Sequence, residues 1–168
     1  QTAMAIIMHY NRWPEAAMGV TEPFTTLTKG INVPARDLNH SYDWDNMLYE
    51  YVEGEYSEAQ GDAVAVLMAD LGHSFQADYS AISTAALPNN VAMYENYGYS
   101  PSCFYAMRDY YSVENWNALL RREIDANRPV FYSAYTAEEA GHAFVIDGYD
   151  DNDYFHVNWG WGGMSDGF

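Results

Sequence analysis

The sequence changes texture at Pro129, and that change limits the folds open to it. Before Pro129, apolar residues recur at helical spacing in separate segments. After it come Val130-Phe131-Tyr132, Ala143-Phe144-Val145-Ile146 and Tyr154-Phe155-His156-Val157, short β-branched and aromatic runs divided by turn residues. Helices first and strands last describe an α+β domain with an antiparallel sheet, not an alternating parallel one. Ser57-x-x-Gln60 followed by Val64, Leu67, Met68 and Leu71 predicts a capped amphipathic helix closed by Gly72. Trp116, Leu119, Leu120 and Ile124 form one stripe of a second helix over residues 113–126. The run from Thr2 to Tyr10 has no Gly or Pro and predicts a buried helix; with no polar capping segment ahead of it, its N-terminus is expected upstream. Short helices are expected over 90–96 and after Asp43, the latter with Trp44 and Leu48 facing inward. Residues 14–42, with Pro23, Gly30 and Pro34, read as loop with short strands.

A chain of 168 residues, 49% of them apolar, is long enough for one domain with its own core, and a single domain is expected. Seven Lys and Arg against 24 Asp and Glu give a net charge of -17, a field that repels phosphate backbones and anionic lipid, so neither nucleic acid nor membrane is expected as a partner. Cys103 is the only cysteine, which rules out an intrachain disulfide and a Cys-based zinc site. It follows Ser100-Pro101-Ser102 with no small-residue helix start to stabilise a thiolate, and reads as a semi-buried small apolar residue rather than a nucleophile. His9, His40, His73 and His156 lack the spacing of a metal hydrolase. Asp147 and the Asp150-Asp151-Asn152-Asp153 run lack the bidentate Glu of a calcium loop and fit a hairpin tip. No metal or cofactor is expected.

The densest chemical signal is Gly141-His142-Ala143-Phe144-Val145-Ile146-Asp147-Gly148, a turn, and then His156-Val157-Asn158-Trp159-Gly160-Trp161-Gly162-Gly163. A hairpin turning near Asp150 makes His142 and Asn158, eight positions either side, approximate cross-strand neighbours. In that arrangement the Asn amide oxygen accepts the Nδ1 proton at about 2.6–3.2 Å, fixes the tautomer and leaves Nε2 for a nucleophile. By residue type alone His142 equally fits a core histidine satisfied by a carbonyl, and Trp159 and Trp161 fit ordinary core. The glycines around the two tryptophans, which let backbones and ligands approach closely, fit a cleft wall as well.

Thr2-Ala3-Met4-Ala5, Trp44-Asp45-Asn46, Leu67-Met68-Ala69-Asp70-Leu71-Gly72, Asn96-Tyr97-Gly98-Tyr99 and above all the run from Gly141 to Phe168 resemble the streptopain-type cysteine peptidases of bacteria, over nearly the whole chain. The resemblance implies a papain-like fold and a cysteine endopeptidase of the Cys-His-Asn kind, with His142 as base and Asn158 as its orienter. It implies that Trp159 shields their bond and that Trp13, Ala85 and Gly141 lie near the substrate groove, with Trp161 alongside. It also implies protein or peptide substrates, a propeptide in a zymogen, and a secreted or cell-surface bacterial protein associated with virulence. In that family the nucleophile opens the first helix in a Cys-x-x-Thr-Ala pattern, so the cysteine is expected two positions upstream of Gln1, and the chain is expected to lack an N-terminal segment and a C-terminal end. A catalytically inactive binding or adhesion module is the competing reading.

Overall fold

The computed structural model describes residues 1–81, 83–137 and 141–168. The chain divides into two compact units, one of residues 1 and 3–104, the other of residues 105–168 with Thr2.

The first unit opens with α1 (Thr2–Asn11), whose Ala3, Met4, Ala5, Ile7 and Met8 are all buried, as its unbroken apolar composition requires. Residues 15–42 then form one irregular antiparallel hairpin. Backbone bonds from Tyr42 to Glu15, Ala17 to His40, Leu38 to Gly19, Thr21 to Arg36 and Thr26 to Ile31 all keep one register. Only β1 (Phe24–Thr25) and β2 (Asn32–Val33) pair as strands within it. In that register Pro23 and Pro34 face each other, and neither has an N–H to give, so the ladder breaks there. The segment after Asp43 is a turn rather than the expected helix: the Asp43 carboxylate takes the backbone N–H and side-chain amide of Asn46, with Trp44 and Met47 buried.

Helix α2 (Glu58–Ser74) carries the expected capping box between Ser57 and Gln60 but runs two residues past Gly72. Gly72 has a different use: a Cβ there would lie 1.8 Å from the Tyr79 hydroxyl and 2.3 Å from Gln1 Nε2, two groups bonded to each other at 3.2 Å. After β3 (Asp78–Tyr79) and β4 (Thr84–Ala85) comes α3 (Asn90–Glu95), capped by the Asn89 side chain. The hairpin is fastened to α2 by a buried charge. Asp70, with no accessible surface, accepts from Arg36 Nε at 2.5 Å and from the Tyr42 hydroxyl at 2.8 Å, with His40 Nε2 at 2.8 Å.

The second unit begins with a 3-10 turn at Arg108–Tyr110 and α4 (Val113–Asp125), capped by Ser112, and continues into β5 (Val130–Tyr135), β6 (Gly141–Tyr149) and β7 (Phe155–Asn158). These form an antiparallel sheet with β6 in the middle. Trp116 and Leu120 of α4 bury against Phe144 and Ile146 of β6, with Val130, Tyr132, Phe155, Val157 and Trp159 packed around them. Those strand positions are the ones that share a face under the observed pairing of Tyr132 with Phe144 and of Ile146 with Val157. The predicted stripe of α4 therefore meets a predicted strand face. Among the described residues no helix is long and apolar enough to cross a membrane.

Removing the Asp70 carboxylate strands the cation it pairs with. Asp70→Ala is expected to cost about 3 kcal/mol, the low end for a broken buried pair because Arg36 keeps 30% of its side chain exposed, read as a fall in denaturant midpoint. Burial, reinforced by Tyr97 and Asp70, raises the pKa of the Tyr42 hydroxyl above that of an exposed tyrosine. The folded state therefore holds this proton at a pH where the unfolded chain has lost it, so the contribution is complete below about pH 10 and is lost as pH rises. Unfolding curves between pH 8 and 11 are expected to show a steep alkaline fall that becomes shallower in Tyr42→Phe, whose stability at pH 8 is lower by about 1.5–3 kcal/mol for the lost bond to a charged group.

Candidate active site

His142 stands on β6 opposite Ala134, on the sheet face that also carries Phe144 and Ile146. Its ring stacks on Phe144 at 6.3 Å and lies 5.9 Å from Trp159 and 5.1 Å from Trp161. The two tryptophans stack on each other at 5.6 Å. Trp159 belongs to the core beneath, while Trp161 is 49% exposed, so one indole supports the histidine from the interior and the other covers it on the solvent side.

The expected bond between the His142 ring and the Asn158 amide is not formed. Next to the hairpin tip the register would place both on one face, but β6 bulges at Asp147, between the pairs Gly148–His156 and Ile146–Val157. One extra residue reverses the alternation beyond it, and Asn158 pairs with Val145, on the face opposite His142. His142 instead uses Nε2, which lies 2.9 Å from the Trp159 carbonyl oxygen. A carbonyl can only accept, so Nε2 carries the proton, the reverse of the tautomer expected for an Asn partner at Nδ1. Among the described residues Nδ1 has no hydrogen-bond partner. The Asn158 side chain takes the N–H of Gly160 at 2.9 Å. That N–H belongs to the same peptide group as the Trp159 carbonyl, so Asn158 and His142 hold opposite ends of one peptide.

Two further features hold this peptide. Gly160 has φ 75°, a left-handed conformation that glycine adopts without strain. The chain then turns through 161–165 and comes back to β7, where Gly167 and Val157 exchange both backbone bonds at 2.9 and 3.1 Å. On the way back the Asp166 carboxylate accepts the N–H of Trp159 at 2.8 Å. Sequence reasoning did not select Asp166; no spacing rule marks a carboxylate whose only distinction is the turn that returns it to residue 159.

Of the other residues singled out, Gly141 pairs with Tyr135, and a Cβ on it would lie 2.6 Å from that ring, so its local use is to admit the tyrosine. Trp13 and Ala85 belong to the first unit: Trp13 donates its indole N–H to the Tyr97 carbonyl at 3.0 Å and is 48% exposed, and Ala85 is exposed on β4 opposite Asp78. Cys103 is exposed in a turn closed by its N–H to the Ser100 carbonyl, not half-buried as expected, and starts no helix that would stabilise a thiolate. The hairpin tip is organised by Asp150, which accepts the N–H groups of Asn152 and Tyr154, while Asp153 pairs with Arg121. Among the described residues no cluster of His, Cys, Asp and Glu is arranged to hold a metal.

The sequence matches the Peptidase C10 family over residues 1–168. The chain belongs to that family. It is 38% identical to streptopain of Streptococcus pyogenes over 99% of its own length, and 32% identical to the thiol protease/hemagglutinin PrtT of Porphyromonas gingivalis. It spans 43% of the first of these proteins and 19% of the second, less than half the length of either. Its structure resembles that of active interpain A cysteine protease from Prevotella intermedia with a TM-score of 0.86 and 30% identity, covering 99% of this chain and 71% of that one. A fragment of prointerpain A matches equally well over 53% of its length. The papain-like α+β fold expected from the sequence is therefore the fold of this family member.

The Nε2–H tautomer of neutral His142 is directly measurable. Long-range nitrogen–proton correlation spectra should show the proton on Nε2 in the native protein. Gly160→Ala, which puts a Cβ on a backbone that favours glycine, is expected to disturb that preference and cost about 1 kcal/mol of stability.

Proposed function

We propose that this chain is the histidine-bearing part of a cysteine endopeptidase that hydrolyses peptide bonds of proteins. The observation that carries the reading is the bond from His142 Nε2–H to the Trp159 carbonyl, which commits one ring nitrogen and leaves Nδ1 to exchange a proton. Family membership and the cysteine proteases among its relatives support it.

In this mechanism a cysteine two positions before Gln1 in the full-length protein gives its proton to His142 Nδ1, forming a thiolate–imidazolium pair. The thiolate attacks the substrate carbonyl, and Nδ1–H then protonates the leaving amine as the C–N bond breaks. Nδ1 next takes a proton from the water that cleaves the thioester, releasing the acid product and restoring the thiol. The Trp159 carbonyl stabilises the charged ring by accepting from Nε2. Asn158 acts on the ring through the Trp159–Gly160 peptide, because an N–H bonded to Oδ1 polarises the carbonyl at the other end. Trp159 and Trp161 keep water from that bond, and Trp161 offers apolar surface to a substrate side chain beside Gly141. Synthesis as a zymogen with a propeptide, supported by the precursor form of interpain A, and export to the bacterial surface or medium complete the proposal.

In the full-length protein, His142→Ala is expected to lower kcat/KM for a casein or peptide substrate by about a thousandfold, with thermal unfolding little changed. The 168-residue chain alone should show no turnover. Wild-type full-length protein that cleaves nothing after removal of any propeptide would favour the inactive binding module instead, and turnover by the short chain that depends on Cys103 would move the nucleophile there.

A further inference from the structure

The carbonyl that receives His142 has no rigidity of its own, because β7 ends at Asn158 and the chain turns immediately. Its direction is set by the two peptide N–H groups that flank it. Gly160 N–H is taken by Asn158 at 2.9 Å, and Trp159 N–H by Asp166 at 2.8 Å. The two restraints differ in origin. Asn158 is the last residue of β7 and moves with it, whereas Asp166 comes from beyond an exposed turn that contains Trp161, Gly162, Gly163, Met164 and Ser165. Asp166 is nevertheless well anchored, since the next residue, Gly167, is locked to Val157 by two backbone bonds. A partly buried carboxylate accepting a backbone N–H makes a shorter and stronger bond than a neutral acceptor. It therefore ties the start of the tryptophan segment to the return strand.

We infer that Asp166 is a positioning residue for the reaction of His142: by holding the N–H of Trp159 it fixes the carbonyl that binds Nε2–H, and so fixes both the tautomer and the aim of the ring. Asp166 touches neither the ring nor the substrate and acts only through Trp159. With the Asp166 bond broken, the residue between Asn158 and Gly160 is free to rotate about its N–Cα bond, and the carbonyl swings off the ring nitrogen. The imidazole then loses its preferred tautomer and its Nδ1 loses the line to the reacting sulfur. Misplacement of this order is felt in turnover far more than in substrate binding, because the groups that bind substrate are not moved.

The inference rests on the peptidase reading for its kinetic half only, since the tautomer of His142 is read whether or not the protein cleaves anything. Full-length Asp166→Ala and Asp166→Asn, normalised by active-site titration and compared by circular dichroism, give the test. Asp166→Ala is expected to lower kcat by about tenfold or more at nearly unchanged KM, and to shift neutral His142 from the Nε2–H form toward a mixture with Nδ1–H in nitrogen–proton correlation spectra. Asp166→Asn, which keeps an acceptor oxygen in the same place, is expected to restore both readouts to within about threefold of wild type. If Asp166→Ala does not fold, Asp166→Ser takes its place, with a smaller loss in the same direction expected. A wild-type tautomer and kcat in the alanine or serine variant would overturn the inference, as would loss of activity only in proportion to lost folded protein, or an asparagine variant as impaired as alanine. Inactive wild-type protein with the tautomer response intact would instead strike the peptidase reading and leave the positioning role standing.

Discussion

The second unit depends on the pairing of β6 with strands on both sides. Val145 at its centre has no accessible surface, and the residues either side of it, Phe144 and Ile146, supply the strand half of the core that α4 covers. A central strand cannot slip by one residue, because every side chain would change faces and the apolar set would leave the core. The bulge at Asp147 is the one place where the pairing with β7 is allowed to change count. Its effect is felt at the far end of the hairpin, where it decides that His142 faces the tryptophans and that Asn158 does not face His142. Asp147 itself is tied to His156 at 2.6 Å, so the irregular position has a partner across the strands.

The site that results has a chemical logic of its own. An imidazole keeps one tautomer when one nitrogen is held and the other is left open, and a backbone carbonyl holds a nitrogen as well as an amide side chain does, provided the carbonyl is held still. Here a glycine in a left-handed conformation, an asparagine at the strand end and an aspartate returning from a turn each restrain the peptide bonds around Trp159. The aromatic rings of Phe144, Trp159 and Trp161 lower the local dielectric around the resulting bond and so strengthen it.

The first unit solves a different problem with a buried charge. Its hairpin is interrupted by facing prolines and has little regular ladder, so it cannot be held by strand pairing alone. The Asp70 carboxylate collects Arg36, His40 and Tyr42 from one arm of the hairpin onto α2, and the Tyr97 hydroxyl bonds Ser74 at the end of the same helix. Without those partners the carboxylate would be among the most costly groups in the unit, which is why so many polar residues converge on it.

By itself the sequence determined what depends on local periodicity and on single residues: the helices at Thr2, Ser57 and Val113, the three strands after Pro129, the hairpin tip at Asp150, and the nearness of His142 to the tryptophan pair. Near-neighbour rules sufficed there because helix spacing, capping and strand alternation act over a few residues. Tertiary structure decided whatever depends on a count across strands or on distant backbone. Gly72 sits inside a helix because Tyr79 and Gln1 need its space, and 15–42 is one hairpin because bonds between residues up to 27 positions apart share a register. The partner of His142 is a carbonyl rather than an amide because a single inserted residue reverses which face Asn158 occupies. A carbonyl is present in every residue, so no residue type in the sequence could have named Trp159 as the acceptor; only the path of the chain through Gly160 and back to Asp166 brings it there.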